Sequence, residues 1–167
     1  MPTSLLITGL IFALLFIWYL TFSANRLDRL HHRVETSWAN LDSILQRRAA
    51  IAQEIAHLVE IDPASNLILT SAARQARDAD ISERSEAESG LSQALRLLRD
   101  ESDIPHLHPQ IFEELDQVSE RLRVAIAIHQ EAVQSTTNRR SKLLIRLFRL
   151  AGSAPLPITY PFEDEMI

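Results

Sequence analysis

The sequence predicts an all-α protein, an antiparallel bundle of long helices following an N-terminal transmembrane helix. Three observations carry that prediction. From Met1 to Asn25 no side chain bears a charge. Beyond it, three long stretches space their apolar residues by threes and fours, as one buried face of a helix requires. No useful run alternates apolar with polar residues as a strand would, and three glycines with 6% aromatic residues suit helices better than twisted sheets.

The anchor comes first. Leu5 to Phe22 is apolar apart from Thr8, Gly9 and Thr21, and at about 1.5 Å per residue it spans roughly 27 Å, close to the hydrocarbon thickness of a bilayer. Trp18 and Tyr19 stand toward one end, where aromatic side chains favour the membrane interface. Arg26, Arg29 and Arg33 follow directly. Positive charge beside a span stays on the cytoplasmic side. The expectation is a single-pass protein of the cell membrane, held in the bilayer through residues 5–22, with a short outer N-terminus and a cytoplasmic helical domain. A cleaved signal peptide is the competing interpretation. It wants a basic leader and small residues at the cleavage site, yet no Lys or Arg leads the chain and cleavage after Ala24 would place Phe22 at −3.

The first helix of the body runs from about Arg26 to Glu60, with Leu30, Val34, Trp38, Leu41, Leu45, Ile51, Ile55 and Leu58 along one side. Asp62-Pro63 ends it, because the residue before proline avoids the α region. The second stretch runs from about Ala64 to Asp100. Ala72, Ala73, Ala76 and Ala79 give it a small-residue face, and Leu91, Leu95 and Leu98 restore the apolar period. Ser82 to Gly90 between them is mostly polar and ends in a glycine, so a break or frayed joint is expected there, while the lack of proline and several good helix formers weigh against a full extra reversal of the chain. The segment from Asp103 to Pro109 turns the chain through two prolines. The third stretch runs from about Gln110 to Ala151, its buried side marked by Phe112, Leu115, Val118, Leu122, Ala125, Ile126, His129 and Val133. Gly152 and the prolines after it stop the helix. The layout is an anchor at 1–25, a bundle domain at 26–151 and a Pro-rich acidic tail at 152–167.

Pattern and spacing in the first helix resemble the LemA family. The segment Arg33-Val-Glu-Thr-Ser-Trp-Ala-Asn-Leu-Asp-Ser-Ile-Leu-Gln-Arg-Arg48 matches that family's Trp, Asp and paired Arg after an N-terminal transmembrane helix, through Trp38, Asp42, Leu45, Arg47 and Arg48. Leu91-Ser-Gln-Ala-Leu95, Glu101 with Pro105-His-Leu107, and Arg121, Ala125 and Ala132-Val133 are similar to its later segments. His129-Gln130 and Thr136-Thr137 stand where the family repeats Tyr-Asn, and the turn lacks its Tyr. The resemblance implies a membrane-anchored helical bundle with an intracellular domain. It implies no defined activity.

Composition excludes several functions. Cysteine is absent, so thiolate chemistry and disulfides are too. Seventeen basic against 22 acidic residues give a net charge of −5, which disfavours nucleic acid as a partner. There is no Gly-x-Ser-x-Gly elbow and no glycine-rich phosphate loop. We therefore expect no enzyme, no catalytic residue, no cofactor and no metal. Glu54-Ile-Ala-His57 has the spacing of a di-iron half-site but lacks the second half that such a bundle requires. His106 and His108 lie in a Pro-flanked turn, and His31-His32 sit about 100° apart on a helix, too far to chelate together. Asp42, Arg47 and Arg48 are expected to serve structure, as inter-helix ion pairs or a partner contact, and Trp38 to anchor the core.

One basic segment stands out. Asn138 to Gly152 holds Arg139, Arg140, Lys142, Arg146 and Arg149 with no acidic residue, whereas Glu54 to Glu131 has 16 acidic against seven basic. As a helix its apolar and cationic residues separate, which suits a lipid surface or an acidic partner. The plainer alternative is that it balances the acidic middle, within one bundle or between copies. The expected partners are thus the bilayer and a protein partner or a second copy of the chain. The function expected first is a scaffold or protein-interaction module. The alternative is membrane-surface binding or envelope remodelling through 139–151.

Overall fold

The computed structural model describes residues 2–140. These are all-helical, with no strand among the described residues: α1 (Pro2–Ala56), α2 (Pro63–Asp78), α3 (Arg84–Glu101), α4 (Ile104–Leu107) and α5 (Pro109–Arg140). They divide into two compact units, residues 2–36 with 130–140 and residues 37–129.

In the first unit α1 carries one uninterrupted apolar run, and α1 is long and apolar enough to cross a membrane. Its large side chains from Leu6 to Phe22 are exposed, apart from the half-buried Leu20, among them Leu10, Phe12, Leu14 and Trp18. From Leu30 onward this part of α1 meets the end of α5. Ala132, Val133 and Thr136 are buried there. The Thr136 hydroxyl donates to its own helix at the Ala132 carbonyl (2.8 Å), with the Leu30 carbonyl 3.5 Å away. Arg33 pairs with Glu131 at 3.3 Å.

The second unit is a packed set of helices around two apolar clusters. The larger joins Ile51, Ala52 and Ile55 of α1, Leu69, Ala73 and Ala76 of α2, Leu91, Leu95 and Leu98 of α3, and Phe112, Leu115 and Val118 of α5. The smaller joins Leu41 and Leu45 to Leu122, Ala125 and Ile126, with Trp38 packed against it. Every residue that the third stretch's periodicity places inside, from Phe112 to Val133, is buried. The alanines of α2 do what small residues do: they let neighbouring helices approach closely.

Two boundaries differ from expectation. The first helix ends at Ala56 rather than near Glu60. It closes in tight turns, His57 N–H to Glu54 and Leu58 N–H to Ile55, and the Asn66 side chain donates to the Ala56 carbonyl. Such a donor satisfies a carbonyl that a helix end leaves without a partner. Asp62-Pro63 therefore begins α2 rather than stopping α1. Asp62 is the N-cap, accepting from the Ala64 and Ser65 backbone N–H groups at 2.9 and 3.1 Å, and Pro63 occupies the first turn, where its missing N–H costs nothing.

The second difference is one of position, because the joint expected in the stretch from 64 to 100 lies a few residues earlier than Ser82–Gly90. The helix breaks at 79–83, overlapping only the start of the polar segment, and α3 begins at Arg84. Ala79 leaves the helix in an extended conformation, while its N–H still caps Gln75. The Arg84 guanidinium returns to donate to the Ala76 carbonyl at 2.8 Å. The helix formers of Ser82–Gly90 do build helix from Arg84 on, but as a new one packed against α2. Asp103 to Pro109 is also not plain loop: Ile104, buried, pins the single turn of α4, and Pro109 opens α5. Residues 141–167, hence the end of the third stretch and the acidic tail, lie outside the described residues.

Candidate functional site

The residues singled out on α1 all meet other helices of the second unit. Trp38 is half-buried, its ring 5.6 Å from that of His129 on α5. The Ser37 hydroxyl lies 3.0 Å from His129 Nδ1. Burial disfavours the imidazolium, so the His129 pKa is lowered from its ordinary value.

Asp42 accepts from Arg84 at 2.7 Å. Arg84 thus ties α1, α2 and α3 together, since it also caps Ala76. Arg47 pairs with Glu114 of α5, both side chains about half exposed. Arg48, its immediate neighbour, points inward. Its guanidinium donates to Glu88 Oε2 at 3.0 Å and to the Ser92 hydroxyl at 2.7 Å. The two charged side chains are 5% and 1% exposed, so this pair is removed from water almost completely.

Burying a pair this deeply has a large desolvation cost, which attraction and hydrogen bonds must offset. Here the offset is incomplete. Glu88 Oε1, Arg48 Nε and Arg84 Nε are buried without a hydrogen-bond partner. Burial pushes the Glu88 carboxyl up to about 6 against the pull of Arg48, and it lowers the Arg48 pKa. Sequence reasoning found Arg48 and missed Arg84, Glu88 and Ser92. A signal existed: stepping back from Leu91 by threes and fours lands on Ala87, Glu88 and Arg84, the same helix face.

Beside this pair opens a cavity of about 340 Å³, lined by Arg48 of α1, Arg96 and Arg99 of α3, and Asp116, Glu120 and Arg123 of α5. Arg99 pairs with Asp116 at 2.7 Å and lies over the Phe112 ring. Arg123 pairs with Glu120 at 3.5 Å. Ser92, Ser119, Leu95 and Leu115 complete the wall.

The histidine motifs are scattered. His57 bonds the Gln53 carbonyl, and Glu54 is exposed. His108 pairs with Glu60 at 3.0 Å, a hydrogen bond that holds the Glu60 carboxyl below its ordinary value, while His106 is exposed. His32 faces Glu35 rather than joining His31. Among the described residues no group of three or more His, Asp or Glu is placed to hold a metal ion. The Arg139 and Arg140 side chains, with Lys142, Arg146 and Arg149, lie outside the described residues.

Compared with known proteins, the chain matches no family model, no curated protein and no solved structure.

Proposed function

We propose that this chain is a membrane-anchored, LemA-like scaffold or protein-interaction module, an antiparallel helical bundle carried on a single transmembrane helix. The observation that carries the proposal is the contrast along α1. Residues 6–22 are uncharged, largely apolar and mostly exposed, whereas Leu41 to Ala56 supply a buried stripe to the second unit. A helix that is apolar around its circumference and has no protein cover needs lipid or another protein as its solvent. The Arg26, Arg29 and Arg33 flank favours a cytoplasmic bundle with the N-terminus outside. An interaction role asks only for stable helical surfaces.

The full chain in its host membrane provides the test. Resistance to alkaline extraction, together with protease protection of the bundle in intact cells, is the expected result. Extraction at high pH would remove the anchor from the proposal, and cleavage of the bundle from outside would reverse its orientation. Chemical crosslinking would then identify the partner. The sequence of 139–151 favours one second role, contact with anionic lipid. Flotation of residues 26–167 with anionic vesicles, lost when Arg139, Lys142 and Arg146 are neutralised, would select it over the scaffold.

A further inference from the structure

Large apolar side chains stay exposed on both sides of the seam where α2 packs against α3. Ile68 of α2 is 55% exposed and Leu97 of α3 47%, and both line one cavity of about 210 Å³ that also touches the buried Leu69, Ala94 and Leu98. Leu67, beside Ile68, is exposed as well. Single exposed apolar residues are ordinary on a protein surface, but several rimming one groove mark a contact surface. Asp62 and Glu101 line the same cavity, so α2 begins where α3 ends. Among the described residues of its lining these two carry the only charges. We infer that this groove docks a cationic amphipathic helix of a protein partner. The inference rests on the interaction role proposed above and gives that role a surface.

Charge and shape select that occupant. Hydrogen bonds from Ser65 hold the Asp62 carboxyl below its ordinary value, so it stays ionised. The amino end of α2 and the carboxyl end of α3 bring opposite partial charges, which offset each other and leave the two carboxylates to set the field. Asp100 and Asp103, both exposed, flank Glu101, and no Lys or Arg occurs between Ala49 and Ala73 or between Asp100 and Glu120. Arg99, the nearest cation along the chain, is turned to Asp116 and Phe112 of α5. Such a rim attracts cations and repels an anionic bilayer. At about 210 Å³ the cavity falls below the roughly 300–1,000 Å³ of small-molecule sites. It suits instead one or two apolar side chains projecting from a helix laid along the groove. Lysine or arginine beside those anchors would meet Asp62 and Glu101.

The test is fluorescence anisotropy on the full chain in nanodiscs of zwitterionic phosphatidylcholine, with empty discs subtracted. Its probe is a labelled synthetic helix of leucine and lysine, the leucines at i, i+3, i+4 and i+7. Saturable binding is expected, at least about tenfold tighter than that of the same helix with glutamate in place of lysine. Ile68→Ser combined with Leu97→Ser should weaken it about tenfold, whereas Val124→Ser, at an exposed apolar residue of α5, should leave it unchanged. Glu101→Gln should weaken it several-fold and flatten its dependence on salt. All these changes fall on exposed side chains, so each variant should keep its helical circular dichroism. Binding no stronger than to empty discs, equal binding of the glutamate helix, or an equal loss at Val124 would overturn the inference. So would a dimer in sedimentation that the double variant dissolves, since a second copy would then fill the groove. Crosslinking in the host membrane separates this failure from that of the interaction role. A partner captured equally by the unaltered chain and the double variant removes the groove and leaves the role standing; capture of no partner by either removes both.

Discussion

Two stretches of α1 have nearly the same appetite for apolar surroundings and opposite fates. Between Leu6 and Phe22 the large side chains are exposed, most of them by half or more, apart from the half-buried Leu20; between Leu41 and Ala56 the apolar ones sit at 0–1% exposure, apart from the partly covered Ile44 and the exposed Ala50. Hydrophobicity does not distinguish them. What does is the arrangement of polar residues. In the later stretch Asp42, Ser43, Gln46, Arg47 and Gln53 alternate with the apolar stripe, so one face can be covered by α2, α3 and α5 while the other meets water. The earlier stretch has no face that water would accept. The pair teaches that periodicity reports burial within a protein, and that its loss leaves a helix with no face suited to water.

The sharpest break in that comparison comes at Arg48, where the covered stretch carries a charge inward. Arg48→Ala leaves Glu88 buried without its partner and should cost about 3–5 kcal/mol at pH 7 by urea unfolding. Arg47→Ala, one residue away and exposed, should cost no more than about 1 kcal/mol. Equal losses would show that the two neighbours are not separated by burial as described. Next in size is a pure packing change. Leu45→Ala, at 1% exposure, should destabilise by about 2–5 kcal/mol, through lost transfer energy and the cavity left behind. Leu14→Ala in the exposed stretch should leave urea unfolding of the second unit unmoved.

A smaller effect follows from the Glu88 carboxyl. Its folded pKa, about 6, lies above the ordinary 4.5. The folded state therefore binds the proton more readily. Glu88's contribution is fully present below pH 4.5 and is lost as pH rises through 6, an amount of about 2 kcal/mol. Glu88→Gln should flatten that window when unfolding is followed between pH 4 and 7. Unchanged pH dependence would remove the buried carboxylate from the account. Smallest is Gly90→Ala. Gly90 lies inside α3, and an added Cβ would meet nothing within 4 Å. The alanine should stabilise by about 1 kcal/mol, visible as a higher urea midpoint with unchanged slope.

Helix content and the buried stripes were legible because apolar side chains recur along helices with a fixed period, as Leu41, Leu45, Leu91 and Leu122 do. Ends of helices were less so. The Asp62-Pro63 pair carries both a stop and a start signal, and only the Asn66 contact with Ala56 separates them. The break at 79–83 has no proline or glycine to announce it. It depends on Arg84 reaching Ala76 and Asp42, contacts separated by 8 and 42 positions in the chain. The arginine-lined cavity was hidden for a related reason. Arg96, Arg99 and Arg123 read singly as solvated surface charges, and nothing local indicates that two helices bring them to one wall. Buried Glu88 and Arg84 escaped notice because a polar residue on an apolar stripe looks like an interruption of it.

The contact of Trp38 with His129 gives the molecule an optical handle. The chain has two tryptophans, Trp18 and Trp38, so Trp18→Phe leaves one emitter, its indole 5.6 Å from an imidazole kept neutral by burial. An imidazolium quenches indole fluorescence where a neutral ring does so weakly. Because the folded state resists protonating His129, acidification through the ordinary histidine range charges the unfolded chain first and weakens the seam between α1 and α5. Opening carries the indole away from that ring and into water, so its emission would shift to longer wavelength as the seam yields, turning one aromatic contact into a running gauge of how firmly these two helices hold each other.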